Sequence, residues 1–356
     1  MNIFILIMLA FSCLGMLDKL LGARWGLAPS FDRGLSTMGS MAMAIVGVCC
    51  VGVEFIQRNT DVILRMTENM PFDASFLIGC ILAPDMGGYF IAEQLSSSQD
   101  VLILNGIILA SVLGQTMTFQ IPVFLESVDR EDHSAVIRGF IVGIIMVPAG
   151  VLIAGVMLGM ELRVLMVHFV PLLIICLLLA GGLMKFPGRL IRFFAVFARG
   201  IQWIIGITFF FTILGIFVPS LAYTDMESVH EAVTILFKCA IIIGGSLVLS
   251  ELVLKFFRAR LQRLALHMGI NEVSIISFIM NFSTSLAILP LYPRMDEKGK
   301  MMNAAFSVSG AYVIGGQFAF ISSVADGYTV AVFMVSKIVC GLISALVMSR
   351  IYDRGR

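Results

Sequence analysis

Residues 76–92, FLIGCILAPDMGGYFIA, set one acidic side chain, Asp85, in the middle of a run otherwise apolar enough for the interior of a bilayer. Pro84 precedes it, and Gly87 and Gly88 follow, a combination that interrupts a regular helix. The backbone groups freed by such a break cannot be satisfied by lipid, but protein or a protein-lined cavity can satisfy them. An ionisable side chain at that depth costs about 3 kcal/mol or more unless something compensates, so Asp85 is a functional-site candidate. The stretch reads as a hairpin of two half-helices with Asp85 at its tip.

The rest of the chain fits the same solvent. Of its 356 residues, 59% are hydrophobic and 13% are charged, and apolar runs of about 20 residues recur from end to end. The expected fold is an all-α polytopic membrane protein in a single integral unit, residues 1–356, without a soluble domain. A net charge of +1 provides no footprint for nucleic acid. The seven cysteines lack the spacing of metal ligands or redox pairs and read as small core residues, so no metal and no cofactor is expected. The opening run, MNIFILIMLAFSCLGML, has no basic leader region and reads as the first span.

Eleven apolar segments can be marked, at 1–17, 37–56, 74–95, 101–125, 136–160, 164–184, 196–219, 228–254, 272–292, 301–324 and 328–349. If all eleven cross, the Lys and Arg residues in or beside the connections divide about 12 to 10, which gives no orientation. If segments 74–95 and 272–292 are instead re-entrant hairpins, the division becomes about 19 to 3. That asymmetry favours nine spans and two hairpins, with the N-terminus outside and the C-terminus cytoplasmic. The second hairpin, ISFIMNFSTSLAILP, is loosened at its centre by Asn281, Ser283, Thr284 and Ser285, which bond locally to backbone.

A shift of 198 residues lays the first five segments on the last five. Asn105 meets Asn303, Ser111 meets Ser309, Gly47 meets Gly245, Arg65 meets Arg263, and the hairpin tips coincide. With the hairpins included, the halves 1–160 and 196–356 run in opposite senses, joined by a linking helix at 164–184. Inverted repeats of this kind build transporter sites near the membrane midplane from broken helices.

The segments after the hairpins are polar for their setting. One carries Asn105, Ser111 and Gln115, the other Asn303, Ser309, Tyr312 and Gln317. Ser111, Gln115 and Thr118 share a helical face, as do Ser309, Tyr312 and Gly316 approximately. Such faces either line a cavity or bond neighbouring helices. Glu54 and Glu251 read as partners of Arg58 and Lys255, four residues on. Asp73 and Glu93 read as caps at the base of the first hairpin, and His168 as a packed core residue. A tip carboxylate such as Asp85 can also simply cap the half-helix that follows it.

At these residues the chain resembles the EutH family of bacterial ethanolamine-utilisation membrane proteins. The similarity runs through MGSMAMAIVGVCCV (38–51), residues 79–95 around Pro84-Asp85-Met86-Gly87-Gly88, residues 105–122 and residues 269–323, including RMDEKGKMMNAAFSVSGAYVIGG. The resemblance implies a permease taking up ethanolamine, an amino alcohol protonated at neutral pH, across the bacterial inner membrane. A small ammonium wants a carboxylate, carbonyl dipoles or an aromatic face, and its hydroxyl wants an amide or hydroxyl partner. Asp85, Gly87, Gly88, Tyr89, Asn105, Ser111, Gln115, Asn281, Ser283, Thr284, Ser285, Asn303, Ser309 and Gln317 are therefore the candidate substrate-binding residues. The expected partners are a small amine, membrane lipid, a coupling ion (proton or sodium) and a second copy of the chain. The competing readings are a transporter or channel for another small amine or alcohol, and a non-transporting membrane sensor. GxSG, HExxH and GxGD motifs are absent, so no intramembrane enzyme is expected.

Overall fold

A computed structural model describes residues 3–354, the side chain of Met66 excepted. Among the described residues the secondary structure is entirely helical. Eight helices are long and apolar enough to cross a membrane: α1 (Ile3–Leu20), α2 (Ala28–Arg65), α5 (Gln99–Ser127), α6 (Arg130–Met157), α7 (Leu162–Lys185), α8 (Pro187–Phe217), α9 (Met226–Met268) and α13 (Gly327–Arg354). Short helices fill the places between them: α3 (Ala74–Ile81), α4 (Gly88–Leu95), α10 (Glu272–Ser283), α11 (Glu297–Gly310) and α12 (Gly316–Val324). The chain is a multi-pass membrane protein.

Both expected hairpins are pinned at the base by an aspartate. Asp73 caps α3 by accepting from Ser75 N at 3.0 Å, and its other oxygen accepts from Ser97 N, beyond the end of α4, at 2.9 Å. The two ends of the 74–95 segment therefore lie side by side. α3 and α4 have 8 residues each, about 12 Å of helix, against roughly 30 Å of hydrocarbon. In the second case Asp296, which caps α11 through Gly299 N, accepts from Asn271 N at 2.8 Å and from Ser274 Oγ at 2.8 Å. After α10 the chain returns through a 3₁₀ stretch, Ser285–Arg294, rather than a second α-helix.

Loop contacts sort into two ends. At one, Lys300 pairs with Asp132 at 2.6 Å, Lys298 with Asp353 at 2.9 Å, and Lys255 Nζ reaches Trp25 O at 3.4 Å. At the other, Gln57 bonds Gln94 at 3.0 Å, Arg58 lies over the Tyr223 ring at 4.5 Å, and Tyr328 Oη bonds Met157 O. Arg58 also forms the expected pair with Glu54 at 2.7 Å. Lys255 differs from expectation: it spans to the α1–α2 loop rather than back to Glu251.

Helix α5 is buried on every side, whereas α8 turns mostly outward, with Trp203 73% exposed. Small residues set the closest crossings, as membrane helices require: Gly34 lies on Gly244, Gly245 on Met8 O, and Gly341 on Gly310. Two helices are locally π-helical, α2 at Val48–Gly52 and α5 at Ile103–Gly114 and Thr116–Gln120. Such wide turns frequently mark functional sites.

The expected continuous helix over 301–324 is broken. α11 stops at Gly310, residues 311–315 are irregular, and α12 restarts at Gly316. The face predicted to join Ser309, Tyr312 and Gly316 does not exist as a helical face. Tyr312 is left-handed (φ 61°), a strained state for an aromatic residue, held by partners outside its own helix.

Candidate functional site between the hairpin tips

The first tip is a single 3₁₀ turn, Pro84–Met86, closed by Gly87 in the left-handed region (φ 94°). A side chain at Gly87 would drive into Val48, which opens the π-helical turn of α2. Gly88 N donates to Ala83 O at 3.0 Å and starts α4. No side chain caps α4, so Asp85 does not serve the half-helix that follows it. Its carboxylate faces the other half of the chain instead. A β-carbon built on Gly316, the first residue of α12, would lie 3.8 Å from Asp85 Oδ2. The start of a helix presents unpaired N–H groups and the positive end of its dipole, which suits a carboxylate.

The second tip and the irregular linker are laced together. Tyr312 N donates to Asn281 O at 3.2 Å and Ile314 N to Phe282 O at 3.0 Å. Gly315 lies directly on the Ser283 carbonyl, and a β-carbon there would stand 1.7 Å from that oxygen. Ser283 Oγ is held by Ser246 and Ser250 of α9 at 3.0 and 2.6 Å. The linker backbone thus finds at the tip of α10 the partners that a continuous helix would have supplied. The Tyr312 hydroxyl meets Ser285 Oγ at 2.8 Å, with Thr284 beside it, and its ring stands edge-on to Phe119 at 6.4 Å.

Lys337, from the middle of α13, completes the cluster. It has no exposed surface; its Nζ donates to Ser111 O at 2.7 Å and to Gln317 Oε1 at 2.8 Å. Asp85 and Lys337 lie within electrostatic reach but form no ion pair. The other buried or pinned carboxylates are fully engaged. Asp18 accepts from Trp25 N, Leu27 N and Ala28 N at 2.7–2.9 Å, and Asp73 and Asp296 hold the hairpin bases. Among the described residues Asp85 accepts no hydrogen bond from another residue, and it is partly exposed, as are Phe119, Thr284, Tyr312 and Gly316. An unsatisfied carboxylate beside aromatic rings and hydroxyls can take a small cation that also carries a hydroxyl.

Of the residues expected from sequence, Asp85, Gly87, Gly88, Ser283, Thr284, Ser285 and Gln317 come together at the two tips. Ser111 and Asn281 join through their carbonyls, and the Asn281 side chain donates instead to Asn303 O at 3.4 Å. Gln115 follows one turn after Ser111, with a buried Oε1 that has no partner. Asn105 and Asn303 lie elsewhere, at the hairpin bases. Asn105 Nδ2 donates to Ser75 Oγ at 2.9 Å, and Asn303 Nδ2 to Ser274 O and Gly299 O at 3.0 Å. Tyr89 sits in an aromatic group with Phe90 and Phe320, its hydroxyl 3.4 Å from Glu93, and Ser309 bonds the Cys340 thiol. His168 is packed as expected, its ring beside Phe76. Lys337 and Phe119 are absent from the expected set. Lys337 was legible by the rule that singled out Asp85, being an ionisable residue inside an apolar segment.

A family model described as "Ethanolamine utilisation protein, EutH" matches residues 1–351. The "Probable ethanolamine permease EutH" of Listeria monocytogenes is 28% identical over 97% of this chain and 92% of its own length. Proteins of the same name from Salmonella typhimurium and Escherichia coli are each 24% identical over 83% of this chain and 78% of their own length. No solved structure matches.

Proposed function

The chain belongs to the EutH family of ethanolamine utilisation proteins, and on that premise we propose that it carries a small protonated amino alcohol, ethanolamine first, across the bacterial inner membrane. The observation behind this reading is the free, partly accessible Asp85 carboxylate between two hairpin tips, within one cluster with Tyr312, Thr284 and Ser285. Ammonium binds at the carboxylate, flanked by the Tyr312 and Phe119 rings, and the alcohol bonds a tip hydroxyl. The names of the relatives support a permease of this substrate.

In this reading the chain crosses nine times, with the broken α11–α12 as the ninth crossing and the two hairpins entering and leaving on one side. The N-terminus is outside, and the Lys/Arg-rich end that joins Asp132, Lys300, Lys298 and Asp353 is cytoplasmic. The halves form an inverted repeat. Support comes from the 198-residue register, which aligns the caps Asp73 with Asn271 and Ser98 with Asp296, and the amides Asn105 with Asn303. Alternating access then rocks one half against the other about the tips.

Labelled ethanolamine uptake into proteoliposomes tests the reading. Saturable uptake by the purified protein is expected, with Asp85→Asn reducing it at least tenfold. Absence of saturable uptake by well-folded protein would rule this substrate out.

A further inference from the structure

We propose that Lys337 is a tethered ammonium that gives up its proton when the substrate ammonium arrives, so that transport exchanges an amine cation for a proton. This rests on the reading of the Asp85 cluster as an amine site.

The geometry around Nζ carries the inference. Lys337 is wholly buried, and its two protein acceptors, Ser111 O and Gln317 Oε1, are neutral. Two N–H groups satisfy both acceptors; among the described residues the third finds no hydrogen-bond acceptor, and Nζ lies 5.4 Å from the centroid of the Phe333 ring. A neutral amine keeps two N–H groups, so deprotonation forfeits neither hydrogen bond. A charged ammonium held in a buried position by two neutral dipoles and one aromatic ring, with no counter-ion in contact, is poorly repaid for its lost hydration. The compensating charge is Asp85, across the cluster and not in ion-pair contact.

The titratable groups that face Lys337 are few. Asp85 comes from the first tip and Cys340 from the next turn of α13 itself, with Tyr312 and Cys239 within electrostatic reach of Asp85. The packed stretches of α5, α11 and α12 bring Ser111, Ser309 and Gln317, none of which titrates. A substrate ammonium bound at Asp85 places a second cation in one cluster with a single carboxylate. The third N–H bond of Lys337 then breaks heterolytically. Its electron pair stays on Nζ, and the proton leaves to water on the side of the partly exposed Asp85 and Tyr312. The site's net charge is the same before and after, so the loaded carrier moves no more charge than the empty one. When the substrate leaves on the other side, Lys337 takes up a proton there.

The test is calorimetric titration of the detergent-purified chain with ethanolamine near neutral pH, in two buffers of different ionisation enthalpy. Close to one proton is expected to leave per ethanolammonium bound, with affinity rising up to about tenfold per pH unit while Lys337 starts protonated. Lys337→Met is expected to bind with no proton release and a flat pH profile. Should that variant fail to fold, Lys337→Arg, which keeps its charge, is expected to bind more weakly, again without release. Binding by the wild type without proton release overturns the exchange and leaves the amine site standing. Release that persists in both Lys337 variants overturns it too, because the proton then comes from elsewhere. No ethanolamine binding by the folded wild type removes the amine site along with the exchange.

Discussion

Asp18 and Asp85 are both acidic residues within apolar surroundings, yet they differ in what they touch. Three backbone N–H groups bind Asp18, which fixes the entry to α2, whereas Asp85 has only its own backbone N–H as a partner among the described residues. A carboxylate satisfied by the fold reads as structural, and one without partners from other residues is the better candidate for a ligand site. Asp85→Glu, which keeps the charge but moves it by one methylene, is expected to retain uptake with an apparent affinity lowered several-fold. Tyr312→Phe removes the bond to Ser285, worth about 1 kcal/mol, and should weaken ethanolamine binding about fivefold in the same calorimetry. Unchanged affinity in Tyr312→Phe would place the substrate away from that hydroxyl. The sequence made Asp85 visible because proline and glycines bracket it. Lys337 sits in YTVAVFMVSKIVCGLIS (328–344) with no breaker beside it, and a tally of loop charges passes over a lysine inside a segment.

At the scale of elements, the break between α11 and α12 is the feature the sequence concealed. No proline marks it, and Gly315-Gly316 is a weak signal. The break is stabilised by Asn281 and Phe282 carbonyls, which are distant in sequence, and a periodicity reading cannot see such partners. The breaks at Pro84–Gly88 and after Ser283 were legible because each contains its own local helix breakers. Two neighbouring glycines separate packing from binding. Gly315→Ala would push a methyl into the Ser283 carbonyl and is expected to cost about 3 kcal/mol or more, read as a lowered unfolding temperature in detergent. Gly316→Ala meets Asp85 Oδ2 at an ordinary 3.8 Å, so stability should hold and only ethanolamine affinity should change. Equal loss of stability in both would show that the linker does not pack as described.

For the whole molecule, the loop contacts make a prediction about sidedness. In a background with the native cysteines replaced, Asn59→Cys and Ser97→Cys are expected to react with an impermeant maleimide from one side of the membrane. Glu131→Cys and Arg258→Cys are expected to react from the other. Labelling of positions 59 and 97 from opposite sides would make the 74–95 segment a true span and undo the inverted repeat. The class of fold followed from composition and run length, but eight described helices are long and apolar enough to cross against nine expected spans, because the 301–324 segment is broken at residues 311–315. Which ends meet did not follow, because that depends on contacts such as Asp132 with Lys300, 168 residues apart.

The aspartate pins at the hairpin bases also have a mechanical consequence. Each pin fixes a pivot, and in the first hairpin the tip stands about 12 Å away at the end of a stiff arm of eight residues. A tilt of about 5° at that pivot sweeps the tip through roughly 1 Å, enough to make or break a hydrogen bond. A hinge of this shape converts a small angular slack at the hairpin base into a switch at its tip, while the pinned end hardly moves.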